Sequence, residues 1–127
     1  PSWFSGEKWL LEYRTAQEVR TLTPDFHALS QVPGRGLIVT SRADQAEVDF
    51  VSRYFAPWIG VNEDPVTGSA HTILGPYWGK KLDKVEMMAH QVSTRGGVIT
   101  VRLTDDRVYI GGKAITVVRG ALIVSDV

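Results

Sequence analysis

The clearest pattern of hydrophobic and polar positions lies between residues 69 and 82. Apolar side chains recur there every three or four residues, which is the spacing of one face of an α-helix. These positions are Ala70, Ile73, Leu74, Tyr77, Trp78 and Leu82. The pattern predicts the longest helix of the chain, from Ser69 to Leu82.

The first third of the chain predicts one strand and two short helices. Lys8 to Arg14 is short and rich in large apolar groups, which is typical of a strand. Thr15 followed three residues later by Glu18 is a capping-box pattern and predicts that a helix begins there. Thr23 as a cap and Pro24 at the first helical position predict a second helix directly afterwards.

Strand patterns account for most of the remaining chain. Runs of β-branched and apolar residues, separated by glycine and aspartate turns, predict strands at 36–41, 49–55, 85–91, 98–104, 107–110, 114–118 and 121–124. Many short strands with one strongly amphipathic helix indicate an α+β fold. We expect residues 1–127 to form a single domain in which an antiparallel, curled, barrel-like sheet wraps around a central helix.

Composition and charge exclude several classes of protein. Hydrophobic residues make up 43% of the 127 residues and charged residues 22%, which is ordinary for a globular domain. The 14 basic residues balance the 14 acidic ones, so no basic surface favours nucleic acid or an anionic membrane. Cysteine is absent, and the apolar runs are far shorter than the roughly 20 residues of a membrane helix. We expect a cytoplasmic protein that binds neither nucleic acid nor membrane.

Residues 57–68 interrupt the strand pattern with glycine, asparagine, two acids and proline, and they lead directly into the predicted long helix. We interpret them as a functional loop. Backbone N–H groups at a helix start lack intrahelical partners, and the helix dipole adds positive potential. Gly68 lets a ligand approach the backbone and Ser69 adds a hydroxyl, so a carboxylate or phosphate would fit there. The alternative is that Thr67 or Ser69 merely caps the helix.

Asp64 lies four residues before Gly68 and is followed by Pro65. Beside a bound anion, like charge and loss of water favour the protonated form of a carboxyl group, which makes it a proton donor near neutral pH. The alternative is that Asp64 only begins a turn before the proline. We interpret Glu63 as a solvated or ion-paired residue rather than a catalyst.

The three histidines are His27, His71 and His90, and their spacing matches no local metal-binding motif. His71 falls on the first turn of the predicted long helix, where a histidine commonly points to solvent. Ser69, His71 and Asp64 suggest a nucleophilic triad, but residues two apart on a helix diverge by about 200° and do not face each other. We therefore expect neither a metal site nor serine nucleophile chemistry.

Three segments carry a resemblance to a known family: Arg53 to Pro57, Gly60 to His71, and Gln91 to Gly97. The central segment contains Glu-Asp-Pro-x-Thr-Gly-Ser-Ala, which is a specific signature. In order and spacing these segments resemble the PhzF-like family of phenazine-biosynthesis isomerases. The resemblance covers essentially the whole chain but only one half of the architecture that is usual in the family.

The resemblance implies a diaminopimelate epimerase-like fold. Such proteins have two similar domains, each a sheet wrapped around a central helix, with the active site in the cleft between them. This chain matches the C-terminal domain. The resemblance further implies proton transfer without metal or organic cofactor, which in the phenazine enzyme isomerises a hydroxylated dihydroanthranilate. The epimerases use cysteines, and their absence here excludes racemisation by a cysteine pair.

Site residues follow from the family motif position by position. Asp64 matches the acid of the cleft, and we place Asp64 and Ser69 in the catalytic set. Thr67, Gly68, Ser69 and His71 are expected to contact a small carboxylate-bearing substrate. The family's general-base glutamate belongs to the N-terminal domain, and no second copy of its pattern occurs here. The chain is therefore expected to hold half an active site.

Three interpretations remain open from the sequence. The chain belongs with an N-terminal domain that completes an isomerase, or it is a short protein that pairs with itself as a dimer. In the third, it is a binding module that keeps the anion site without catalysis. The identity of the substrate does not follow from the sequence in any of the three.

Overall fold

A computed structural model of the chain describes residues 2–4 and 7–124, with residues 3 and 4 described by their backbone alone. The described part contains eight strands, three α-helices and one 3-10 turn. The strands are β1 (Ser2–Phe4), β2 (Lys8–Glu12), β3 (Gly36–Arg42), β4 (Phe50–Ala56), β5 (Val61–Asp64), β6 (Glu86–Gln91), β7 (Gly97–Leu103) and β8 (Val108–Gly111). The helices are α1 (Ala16–Thr21), α2 (Phe26–Ser30) and α3 (Gly68–Leu82), and the 3-10 turn is Pro57–Ile59.

All eight strands form one mixed sheet in the order β1-β2-β3-β4-β6-β7-β8, with β5 also paired to β4. The expectation of an antiparallel, barrel-like sheet needs correction on two points. The pairs β2–β3 and β4–β6 are parallel, because helices connect these strands and return the chain to the same end of the sheet. The sheet is also open, with β1 at one edge and β8 at the other, so it does not close into a barrel.

The sheet nevertheless curls around α3 as predicted. Tyr77 and Lys81 of α3 bond to the carboxylate of Glu12 on β2, near one edge of the sheet. At Gly75 the same helix faces Val101 on β7, close to the other edge. Buried side chains of α3 are Ala70, His71, Leu74, Tyr77 and Trp78. The predicted apolar face of the helix is therefore the centre of the main core.

Side chains alternate between two cores along the central strands. Ile38, Phe50 and Tyr54 point to the core beneath α3. Val39 and Val51 point to the opposite face, where α1 and α2 cover the sheet. Burial on both faces explains why β3 and β4 are nearly continuous apolar runs.

The first short helix begins as predicted and the second does not. Thr15 and Glu18 form the complete capping box of α1. The cap of α2 is Asp25, whose side chain accepts from the backbone N–H of Ala28 at 2.9 Å. Thr23 instead donates its hydroxyl to the carbonyl of Thr21. The helix begins later because a carboxylate at Asp25 is a stronger N-cap than the threonine.

The two last predicted strands are absent. Residues 112–124 have no regular secondary structure, although their composition is typical of strands. Their large apolar side chains are between 76% and 90% exposed: Ile115, Val117, Val118, Leu122, Ile123 and Val124. A strand forms only against a partner edge, and this segment pairs with no other strand in the described part of the chain. We call residues 112–124 the C-terminal segment.

Within the described residues, no helix combines the length and the hydropathy that a membrane crossing needs.

Candidate functional site

Residues 57–68 form more regular structure than the predicted loop. After the 3-10 turn, Gly60 adopts a positive φ of 80°, and the chain returns along β4 as β5. Arg53 fixes this hairpin through a bidentate ion pair with Glu63, with nitrogen to oxygen distances of 2.7 and 3.0 Å. The third guanidinium nitrogen donates to carbonyls at the end of α1. The interpretation of Glu63 as an ion-paired residue is confirmed.

The site lies where two strands meet end to end along one edge of β4. β5 ends at Asp64, opposite Tyr54, and β6 ends at Gln91, opposite Ser52. Only one residue of β4 separates these two positions, so the ends of β5 and β6 are brought close together. The Gln91 side chain bridges them by donating from Nε2 to the backbone carbonyl of Asp64 at 2.8 Å.

The start of α3 carries no side-chain cap. Thr67 holds the N-cap position, but its side chain makes no capping hydrogen bond. Its hydroxyl instead donates to Oδ2 of Asp64 in a short hydrogen bond. Gly68 and Ser69 are exposed, and a Cβ atom added at Gly68 would meet no other atom within 4 Å. The helix therefore begins at exposed residues without a side-chain cap, which is an arrangement that favours an anion there.

Lys8 is a site residue that the sequence analysis missed. Its ammonium group donates to Oγ of Ser69 at 2.9 Å, and it lies 5.6 Å from the centre of the Tyr54 ring. A fixed positive charge thus stands next to the positive end of the α3 dipole. The two residues are 61 positions apart, and no local pattern links them. Only the neighbouring placement of β2 and α3 brings them together.

Tyr54 lies opposite Asp64 in the pairing of β4 with β5. Burial raises the pKa of the Tyr54 phenol, and the nearby negative charge of Asp64 raises it further. The phenol therefore stays protonated near neutral pH. Asp64 itself is half-buried, since it lies at the rim of the sheet rather than inside the core.

His71 does not point to solvent, which corrects the expectation for a first-turn histidine. Its ring is fully buried and stacks on Phe50, with ring centres 6.0 Å apart. Nδ1 lies 2.7 Å from the carbonyl oxygen of Thr67. Burial lowers the pKa of His71, and the bond to that carbonyl offsets part of the shift. The neutral ring therefore donates a hydrogen bond from Nδ1 to the Thr67 carbonyl oxygen and so helps to fix the backbone at the start of α3.

The structure brings Asp64, Thr67, Gly68 and Ser69 together at one surface and keeps His71 beneath it. Among the described residues, Ser69 accepts from Lys8 and His71 bonds to the carbonyl of Thr67, and no hydrogen bond joins Ser69 to His71. In the same part of the chain, no group of three or more acidic or histidine side chains is arranged to hold a metal ion. The catalytic and substrate-binding roles assigned to the five residues stay predictions.

A family model described as phenazine biosynthesis-like protein matches residues 4–120 of the chain. The chain belongs to this family. It is 50% identical over 115 residues to an uncharacterized isomerase of Halalkalibacterium halodurans, a match that covers 91% of this chain and 43% of that protein. An uncharacterized isomerase of Pseudomonas aeruginosa is 49% identical over 118 residues, covering 93% and 44% of the two chains. The family resemblance of the Glu63 to Ala70 motif is thus confirmed.

Solved structures support the same assignment. A PhzF-family protein of Enterococcus faecalis superposes with a TM-score of 0.83 at 45% identity, over 87% of this chain and 42% of that one. A phenazine biosynthesis PhzC/PhzF protein of Clostridium difficile strain 630 gives the same TM-score at 39% identity, over 97% and 47%. This phenazine biosynthesis-like chain therefore spans less than half the length of the relatives it matches.

Proposed function

We propose that this chain supplies one side of the active site of an isomerase that moves a proton at carbon in a small carboxylate-bearing substrate. The observation that carries the proposal is that Asp64 bonds to Thr67 at the uncapped start of α3, where Lys8 adds a positive charge at Ser69. An acid that exchanges protons and a place for a negative charge then lie side by side. Two of the relatives named above are isomerases by name, which supports the reaction class.

The negative charge of the substrate would lie over Gly68 and Ser69. The free backbone donors and the helix dipole favour an anion there, and Lys8 adds a full positive charge. These groups are held by the fold before the substrate arrives, so little reorganisation is needed on binding. A carboxylate anchored in this way places the neighbouring carbon atoms of a small substrate near Asp64.

Asp64 would serve as one of two proton-transfer groups. A base on the facing side removes a proton from one carbon while protonated Asp64 delivers a proton to another, so a double bond shifts without net oxidation or reduction. We assign the base to an N-terminal half like the one the family resemblance implies. We call this chain joined to such a half the complete protein.

Deuterium incorporation tests the proposal. The complete protein is incubated in D2O with unsaturated carboxylates, including a hydroxylated dihydroanthranilate, and carbon-bound deuterium is measured by NMR. We expect exchange by the complete protein and none by the 127-residue chain alone. Absence of exchange with every substrate would refute the isomerase, and exchange by the chain alone would refute the shared active site.

A second candidate function is a self-associating domain that binds small anions without catalysis. The exposed apolar side chains of the C-terminal segment favour it, because such residues are normally covered by a partner. A second copy of the chain or the facing half of the complete protein would provide that cover. Phosphate binding and dimer formation by the chain, combined with no exchange by the complete protein, would establish this alternative.

A further inference from the structure

We infer that Gln91 is a positioning residue of the site: it orients the Thr67 hydroxyl toward Oδ2 of Asp64 and so leaves Oδ1 to exchange protons with the substrate. The catalytic part of this inference rests on the proposed function. The geometric part concerns the chain alone and is tested separately. Neither the family motif nor the sequence pattern assigned a role to this side chain.

Gln91 is fully buried at the end of β6 and makes three hydrogen bonds to the turn between β5 and α3. Oε1 accepts from the backbone N–H of Thr67 at 2.7 Å. Nε2 donates to the backbone carbonyl of Asp64 at 2.8 Å and to Oγ1 of Thr67 at 3.1 Å. A buried amide with both ends bonded to one turn holds that turn in a single conformation.

The two backbone partners of the Gln91 amide determine which end is the oxygen and which is the nitrogen. The backbone N–H of Thr67 can only donate, so the Gln91 atom facing it must be the oxygen. The backbone carbonyl of Asp64 can only accept, so the Gln91 atom facing it must be the nitrogen. Two partners with fixed and opposite roles therefore exclude a flipped amide.

This orientation determines the direction of the Thr67 hydroxyl. Because Oγ1 receives an N–H from Gln91, its own hydrogen turns to the other neighbour, Oδ2 of Asp64. Within the described residues, no hydrogen bond to Oδ1 of Asp64 is found. Oδ2 of Asp64 is thus hydrogen-bonded within the protein, and we expect Oδ1 to be the oxygen that contacts the substrate.

A purely structural role, in which Gln91 connects β6 to the turn, would explain that the hydrogen bonds exist. It would not explain why Gln91 donates a hydrogen bond to the Thr67 hydroxyl. Ser93 provides the comparison, because it ties the same turn without reaching the carboxylate. Its hydroxyl donates to the carbonyl of Pro65 at 2.7 Å and accepts from the N–H of Gly96 at 3.0 Å. Loss of Ser93 therefore measures the effect of a looser turn alone.

Gln91→Glu is the decisive substitution. It keeps the size of the side chain and an oxygen for the Thr67 N–H, but its second oxygen has no proton to donate when ionised. The Thr67 hydroxyl then turns to the introduced carboxylate and away from Asp64. Burial favours the protonated form of the introduced carboxyl group, so the comparison is made at a pH high enough to ionise it. There we expect kcat for deuterium incorporation by the complete protein to fall about tenfold or more, with KM changed less than about threefold. Acidification that protonates the introduced group should restore part of kcat.

The control is Ser93→Ala, for which we expect kcat within about threefold of the parent. Because a buried carboxylate can unfold the protein, Thr67→Val and Thr67→Ser form a second pair. The valine removes the hydroxyl and should lower kcat as Gln91→Glu does, whereas the serine keeps it and should restore kcat. Equal losses for Gln91→Glu and Ser93→Ala, or full activity of Thr67→Val, would overturn the inference.

A spectroscopic measurement separates this inference from the proposed function. In the 127-residue chain, the carboxyl 13C resonance of Asp64 should move in Gln91→Glu and in Thr67→Val, and stay in place in Ser93→Ala. An unmoved resonance in the first two variants refutes the positioning role whatever the activity. A moved resonance in a protein that exchanges no deuterium supports the positioning role and refutes the proposed isomerase.

Discussion

Thr67 stands at the N-cap of α3 but gives its hydroxyl to Asp64, which leaves the helix start open. The same side chain thus leaves the start of α3 uncapped and bonds to the carboxylate beside it. An N-cap bond normally contributes about 1 kcal/mol to helix stability. Giving up that contribution is consistent with a helix start that serves a ligand.

Asp64→Asn should slow proton exchange by the complete protein about 100-fold or more, because the amide keeps the shape of the side chain but cannot exchange a proton in the same way. The measurement is the rate of deuterium incorporation at saturating substrate. The matched control is Asp83→Asn at the other end of α3, where asparagine tolerates the positive φ of 54°. Unchanged turnover in Asp64→Asn would make the role of Asp64 structural.

Gly68→Leu should abolish anion binding with little loss of stability. A Cβ atom added at Gly68 meets no other atom within 4 Å, so the leucine is expected to extend into the space through which a ligand would approach the backbone. The measurement is a phosphate titration followed by the amide shifts of Gly68 and Ser69 in the parent, with the Ser69 shift followed in the variant. Gly112→Leu, also in open space, is the control and should bind phosphate normally. Binding by Gly68→Leu equal to that of the parent would place the site elsewhere.

The stability of the chain should fall as the pH drops below about 6.5, the ordinary pKa of histidine. Burial lowers the pKa of His71 in the folded state, so the unfolded state binds the proton first. The neutral His71 ring makes its full contribution to the free energy of unfolding above about pH 6.5, and this contribution is lost as the pH falls toward the lower pKa of the folded state. The free energy of unfolding then changes by at most about 1.4 kcal/mol per pH unit. Urea unfolding at several pH values measures it.

His71→Asn should remove this part of the pH dependence, because the amide can donate to the carbonyl of Thr67 without titrating. His27→Asn changes an exposed histidine and serves as the control, which should keep the dependence of the parent. If His71→Asn loses stability with acid as steeply as the parent, the buried ring is not the titrating group.

Gly79→Ala should destabilise the fold by about 1 to 2 kcal/mol, although alanine is the better helix former. An added methyl group would come within 2.9 Å of the carbonyl oxygen of Lys84, so the turn after α3 would have to move. The measurement is the free energy of unfolding in urea. The control is Gly112→Ala, because a Cβ atom at Gly112 meets no other atom within 4 Å. Equal stability of Gly79→Ala and the parent would show that the turn adapts freely.

The chain alone should associate into dimers or larger species at high micromolar concentration. Its C-terminal segment exposes six large apolar side chains, and the open site around Gly68 adds the face that would meet the other half. Light scattering measures the mass, and removal of residues 113–127 should reduce it. A monomer at this concentration would contradict the prediction.

The sequence by itself determined the elements whose signals are local. The spacing of apolar residues predicted α3 to within one residue of its observed start, because helix periodicity is a property of neighbouring positions. The Thr15 and Glu18 capping box was equally visible, since its two partners are three residues apart. The motif around Asp64 indicated the family, because its residues are adjacent in the chain.

Tertiary structure alone decided which distant groups meet. Lys8 reaches Ser69 across 61 positions, and Gln91 reaches Asp64 across 27, because β2 lies beside α3 and β6 meets β5 along β4. Burial of His71 likewise depends on the sheet curling over the first turn of α3. The C-terminal segment shows the converse, since a strand-forming composition produces no strand without an edge to pair with. Local patterns specify conformations, whereas hydrogen-bond partners and burial are set by the packing of the whole chain.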